Sequence, residues 1–140
     1  MINDTRHHRR NFAYNINLDT RFGHFELIDV PSIVAACTEK WQNHTLTRVN
    51  DSVVRIGIVE GEFHWHKHDD TDDFFLVLKG ALDIELRDRT VTLNSGEVFV
   101  VPAGVEHRPV ARGEVHILLI EPTGTANTGD KATAAPRIVA

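Results

Sequence analysis

From residue 46 to residue 121 the chain alternates short apolar runs with turn-forming residues. LTRV and SVVRIGIVE are split by Asn50-Asp51, and EFHWHKH follows Gly61. FFLVLKG, ALDIELRD, VTLNSG and EVFVVP come next, and EVHILLIEP closes the series after Arg112-Gly113. Val, Ile, Phe and Leu dominate these runs, and several place apolar side chains at every second position, the period of a half-buried strand. Seven or so strands spaced by about 8 to 12 residues predict an all-β sandwich or barrel. One segment differs. VPSIVAACTEKWQ, residues 30–42, carries a proline near its start and Ala-Ala-Cys at its centre, which predicts a short helix packed on the β structure. NFAYNINL and HFELIDV, largely within residues 1–25, are candidate edge strands. Residues 123–140 are small, polar and rich in Gly and Ala, the composition of a loosely held tail. With no internal repeat and no linker, residues 1–140 read as a single domain and residues 46–121 as its core.

Composition narrows the function classes. A chain of 140 residues with 41% apolar and 25% charged residues can bury a core of its own. A net charge of −5 offers no general attraction to nucleic acid. The one basic cluster, RHHRR at residues 6–10, reads as a solvated tail. No segment approaches the ~20 apolar residues of a membrane span, and no apolar run resembles a signal peptide. The single cysteine, Cys37, cannot form an intramolecular disulfide and reads as a buried structural thiol. These features predict a cytoplasmic protein without nucleic-acid or membrane partners.

The candidate chemistry is concentrated in FHWHKHDDTDD, residues 63–73. In a strand, His64, His66 and His68 share one face, and Phe63, Trp65 and Lys67 take the other. Phe63 and Trp65 are then expected to pack between sheets or at a dimer contact. Imidazoles two residues apart have Cβ atoms roughly 6–7 Å apart and can approach one ion, with further ligands supplied from elsewhere. Such donors suit zinc, iron, nickel and copper, and carboxylates add affinity for iron and manganese. A single histidine here would read as a solvated side chain. Three, followed by Asp69, Asp70, Asp72 and Asp73, weigh against that reading. The acids lack the glycine and terminal glutamate of an EF-hand calcium loop.

His66-Lys67-His68, DDTD, Asp73, FFLVLK and Gly80 resemble the first conserved motif of the cupin superfamily. Gly96, EVFVV, Pro102-Ala103-Gly104, Val105-Glu106 and His107 resemble the second. The chain is similar to the small single-domain cupins labelled mannose-6-phosphate isomerase-like, most of which have no assigned reaction. The resemblance implies a double-stranded β-helix, or jelly-roll, barrel with one short N-terminal helix and a divalent transition metal (iron, zinc, nickel or manganese) at its mouth. It implies His66, His68 and His107 as ligands. Asp73 stands where the family usually has glutamate, so a direct ligand, a water-mediated one or a three-histidine site all fit; Asp72 matches the shorter spacing. Asp69 and Asp70 are then solvated turn residues.

Around that set, His64 is a partner of the ligands, a pocket wall or a fourth ligand. His116, alternating with apolar residues in VHILLI, reads as a core or pocket histidine. Arg55 either points into the barrel, where it could hold a substrate carboxylate or phosphate, or faces solvent. Gly80 and Gly96 mark strand ends that need positive φ or a close backbone approach, and Pro102-Ala103-Gly104 can make the turn that brings His107 across the mouth. Two functions compete: a metal-dependent isomerase, dioxygenase or lyase on a small organic molecule, and a non-catalytic module that binds a small ligand. A cupin that has lost its metal is a third reading, opposed by the retained histidines. A homodimer is expected, because sheets of this size have edges to cover.

Overall fold

The computed structural model describes residues 16–17 and 20–123. Among these, eight strands and one helix follow the order β1 (Ile16–Asn17), α1 (Val30–Ala35), β2 (Asn43–Val49), β3 (Ser52–Glu62), β4 (Asp73–Lys79), β5 (Leu82–Leu86), β6 (Thr90–Leu93), β7 (Val98–Val101) and β8 (His107–Pro122). The strands form an antiparallel jelly-roll barrel to which β1 adds one short parallel pairing with β2.

β8 is the strand on which the barrel turns. Along one edge it pairs with β3 from Ser52↔Pro122 to Glu62↔Val110. Along the other its first part pairs with β5, from His107 to Ala111, and its later part pairs with β4, from His116 to Ile120. The change of partner falls at Arg112-Gly113, where Gly113 has φ 113°. That dipeptide, expected to separate two runs, is a bend inside one 16-residue strand. The EFHWHKH run departs from expectation in the opposite sense. Beyond Glu62 it leaves the ladder; Phe63 N still donates to Pro109 O, and the segment's one β-bridge among the described residues is His66↔His107.

The burial pattern explains why β3 reads as a nearly continuous apolar run. Val59 faces the barrel interior with Phe75, Val77, Leu82, Ile84, Val115, Ile117 and Leu119. Ile56 and Ile58 face outward and are covered by Val34 of α1 and by Leu46. Both faces are therefore dry. Val77, Leu82 and Ile84 have no exposed surface, and each contributes about 1.5–3 kcal/mol of apolar burial.

The helix is shorter than the 30–42 expected. Asp29 caps it, accepting from Ser32 N, Pro31 lies in its first turn, and it ends at Ala35. Beyond it, Trp41 takes a left-handed backbone with φ 62°, which no helix can contain. HFELIDV is not a strand: Phe25 and Leu27 are fully exposed and Asp29 belongs to the helix cap. Most of NFAYNINL, the RHHRR cluster and residues 124–140 lie outside the described residues. Cys37 is half-buried, its thiol donates to Ile33 O, and burial pushes its pKa up. Among the described residues no helix is long and apolar enough to cross a membrane.

Candidate metal centre

Two loops and two strand ends meet at one mouth of the barrel. His66 and His107 exchange both backbone hydrogen bonds of their bridge, at 3.0 and 2.9 Å, which brings their ring centroids to 4.4 Å. The Pro102-Ala103-Gly104 turn is tied to the histidine segment at two points. Gly104 N donates to His68 O at 2.7 Å, and Ala103 N donates to the Asp72 carboxylate at 2.9 Å. Asp73, the first residue of β4, points inward from the same corner. As a result His66, His68, Asp73 and His107 each place one ligand atom within 4.8 Å of all the others, and all four are buried. Asp73 reaches the cluster despite being one methylene shorter than glutamate.

The tautomers follow from the partners. Nδ1 of His66 lies 3.0 Å from His64 O, and Nδ1 of His107 lies 2.9 Å from Val105 O. A carbonyl only accepts, so each Nδ1 must carry the proton, and in a neutral ring Nε2 keeps its lone pair. A backbone carbonyl accepting from the far ring nitrogen is the arrangement that orients metal-bound imidazoles. His66 suits that role electrostatically, because burial and then the neighbouring His107 push its pKa down to about 3. Burial alone would raise Asp73, but hydrogen bonds from His107 and His68 outweigh it and hold the carboxyl below its ordinary range.

A fit test comes from His107. Its Nε2 stands 2.9 Å from Asp73 Oδ2, while Nδ1 faces a carbonyl. A neutral imidazole has one N–H and cannot satisfy two acceptors, so the corner calls for a cation at Nε2, either a proton or a metal ion. Asp73 Oδ2 is 2.9 Å from His107 Nε2 and 3.4 Å from His68 Nε2. Two donors each ~2.1 Å from one ion and at right angles stand ~3.0 Å apart. Three imidazole nitrogens and a carboxylate oxygen, all within 4.8 Å of one another, are a donor set suited to a first-row transition metal.

Behind the cluster the barrel opens into a partly enclosed pocket with a cavity volume of about 40 Å3. His66 and Asp73 line it together with Asn43, Glu121 and a largely apolar wall. Glu121 is buried, and burial, reinforced by the charge of Asp73, pushes its pKa up to about 7 although Arg55 opposes the shift. Arg55 points inward with 1% exposure; its Nη1 donates to Glu121 at 2.5 Å and its Nε to Thr45 at 3.1 Å. It is thus neither a solvated arginine nor an uncommitted anchor for a substrate anion.

Two other expectations shift, those for Phe63 and His116. Phe63, placed on the face opposite the ligands, instead lines the pocket: its ring is stacked on Trp41 at 5.0 Å and set edge-on to His66 at 5.3 Å. Strand alternation fails here because the chain leaves the ladder after Glu62. Trp65 does face away, with the Arg87 guanidinium 3.8 Å above its ring. His116 is not in the pocket: Val115 and Ile117 take the interior side, and His116 bonds Glu114 at 2.8 Å on the outer face. His64 stands outside the four-residue group, with its ring 4.1 Å from Phe63, and supports His66 through its backbone carbonyl. Asp69 and Asp70 are exposed, as expected of turn residues. Trp41, Asn43 and Glu121 were missed. Glu121 could have been found by continuing the alternation Val115, Ile117, Leu119, whereas no local signal marks Trp41.

Residues 52–121 match the cupin domain family. Over 71 residues the chain is 39% identical to the uncharacterized protein YdbB of Bacillus subtilis (strain 168), covering 50% of this chain and 63% of that protein, so it spans under two thirds of that curated relative. Among solved structures it is similar to a cupin-2 domain containing protein from Shewanella frigidimarina NCIMB 400, with 41% identity and TM-score 0.67 over 69% of this chain and 94% of that one. It is also similar to protein NMB1881 from Neisseria meningitidis, with 28% identity and TM-score 0.64 over 69% and 99% of the two chains. By the family match, and by the two motifs that build the corner described above, the chain belongs to the cupin family.

Proposed function

We propose that this protein is a metal-dependent enzyme acting on a small organic molecule, with His66, His68, Asp73 and His107 holding a divalent transition metal. The observation that carries the proposal is His107, whose two ring nitrogens both face acceptor oxygens at 2.9 Å in a buried corner. A bound ion of this kind supplies Lewis acidity toward a substrate oxygen, or oxygen chemistry where it is iron. Isomerase, dioxygenase and lyase reactions are the classes such an ion serves, and the fold alone does not choose among them.

The chain's own residues do the rest. His64 O and Val105 O hold His66 and His107 in one orientation, so their Nε2 atoms converge without further reorganisation. Trp41 and Phe63 add an aromatic wall beside His66. Glu121 presents a carboxyl to the pocket, fixed by Arg55.

The test is elemental analysis of protein purified without chelator, beside a His66→Ala/His107→Ala double variant. Near-stoichiometric metal in the wild type and its loss in the variant is the expected result. Iron would direct the search to oxygen uptake, and zinc, nickel or manganese to isomerisation and elimination. Absence of metal from both proteins, even after reconstitution, would overturn the proposal and leave a non-catalytic small-ligand-binding module.

A further inference from the structure

The wall of the pocket is as informative as its metal corner. Trp41, Phe63, Phe75, Leu82, Ile117 and Leu119 supply most of the lining, and Asn43, His66, Asp73 and Glu121 supply its main polar groups. Among the described residues no lysine or arginine lines it. The buried guanidinium of Arg55 is already bonded to Glu121 and Thr45.

Trp41 is held in place at a cost. Its φ of 62° is rare for a bulky residue, and such backbone strain persists only where the surroundings enforce it. Here its backbone N–H donates to Ile58 O at 2.7 Å and its indole N–H to Glu60 O at 3.0 Å. Backbone and indole are thereby each anchored to β3, and the ring stacks on Phe63 at an interplanar angle of 20°. A tryptophan and a phenylalanine, stacked and sharing one pocket, form a rigid aromatic surface beside the histidine cluster.

Resting on the metal-centre reading above, we infer that the ligand is a small, largely apolar and planar organic molecule with one oxygen-bearing end. That end is directed at the His66, His68, Asp73 and His107 corner, and the body lies against Trp41 and Phe63. A second anionic group, such as a sugar phosphate carries, has no cation to meet in this pocket and would face Glu121 and Asp73 instead. An extended polyol would bury hydroxyls against Leu82, Ile117 and Leu119, where nothing pairs with them.

The probes are catechol and mannose 6-phosphate, titrated calorimetrically into zinc-loaded protein, zinc being chosen because it has no redox chemistry. Wild type is expected to bind catechol saturably and to give no saturable signal with mannose 6-phosphate over the same range. Trp41→Ala should weaken catechol by about tenfold, the size of one lost aromatic contact with its buried area, and Trp41→Phe should retain most of the affinity. Equal or tighter binding of mannose 6-phosphate overturns the inference, as does catechol binding that ignores Trp41→Ala. Should Trp41→Ala fail to fold, the wild-type comparison of the two probes and Trp41→Phe still decide it. Zinc content is measured on the same samples. Zinc bound without preference for catechol overturns this inference alone; failure to bind zinc overturns the metal centre and the inference with it.

Discussion

Replacing Arg55 by methionine should destabilise the protein far more than replacing Arg55 and Glu121 together. The two side chains are 2% and 4% exposed and joined at 2.5 Å, so neither ion has water to fall back on. Removing the guanidinium alone leaves a buried carboxyl in the electrostatic field of Asp73. Breaking one partner of such a pair costs about 3–5 kcal/mol, whereas exchanging both for apolar groups of similar volume is often neutral or stabilising. For a chain of this size the single variant should melt on the order of 15 °C lower. Arg55→Met/Glu121→Leu should lie within about 1 kcal/mol of wild type or above it. Urea denaturation with a common m-value reads both. A single-variant cost below about 1 kcal/mol, or a double variant no better than the single, would refute the claim that the pair is mutually dependent.

The same pair fixes the sign of a pH effect in metal-free protein. Burial and Asp73 raise Glu121 to about 7 from its ordinary 4.5. Between those values the folded state holds a proton that the unfolded chain has lost, so this group's stabilisation is complete below 4.5 and disappears as pH rises through 7. Arg55 opposes the shift, so Arg55→Met raises the folded value further. The difference in stability between wild type and Arg55→Met should therefore be smallest near pH 4.5 and widen toward pH 8. Groups common to both proteins cancel in that difference. A difference that stays flat or narrows with rising pH contradicts the assignment.

Other consequences follow from single residues. Metal-free protein should lose stability from His66 as pH falls from 6.5 toward 3, because the unfolded chain takes up a proton that the buried ring refuses; His66→Gln should flatten that part of the profile in chemical denaturation. His107→Ala alone should abolish stoichiometric metal binding, and a variant retaining full occupancy by elemental analysis would remove it from the site. Gly80→Ala should cost about 1–3 kcal/mol in thermal melting, because φ is 93° and the new methyl would stand 3.0 Å from Glu114 O; a melting curve that matches wild type would show that the turn relaxes. On the outer face of β4, β7 and β8, Val98, Val100 and Ile120 are 51%, 43% and 37% exposed, the surface we propose for pairing two copies. Light scattering should find a wild-type dimer and a Val100→Lys monomer, and a monomeric wild type ends that proposal.

Much of the fold was written in local patterns. Strand alternation and turn residues located most strands from β2 to β8, and the two glycine-bounded motifs brought the cluster residues of the metal corner together on paper. Gly80 and Gly96 sit at φ 93° and 86°, so of the two reasons for a glycine at a strand end, positive φ applies to both. What failed was local pattern applied where local pattern does not govern. Period-two alternation held for Trp65 and failed for Phe63, because residues 63–72 form no regular strand and the His66↔His107 bridge sets their orientation. The helix stopped early because Trp41 is recruited into the pocket by hydrogen bonds to Ile58 and Glu60, two residues of a different element.

The pocket was the least visible part, and the reason is register. Glu121 meets Arg55 only because β8 pairs with β3 so that Leu119 lies opposite Arg55, which sets Glu121 two residues along the same inner face. Asp73 comes near Glu121 because β4 pairs with the other edge of β8, with Phe74 opposite Ile120. Neither spacing is encoded within any short stretch of the chain; both arise from one strand, β8, serving two neighbours at once. A motif announces a ligand set because its residues lie near one another in sequence. A pocket wall assembled from the helix-to-strand loop, β2, β3, β4, β5 and β8 has no such signature, and so the candidate metal corner could be named from sequence while the make-up of the pocket beside it had to wait for the barrel.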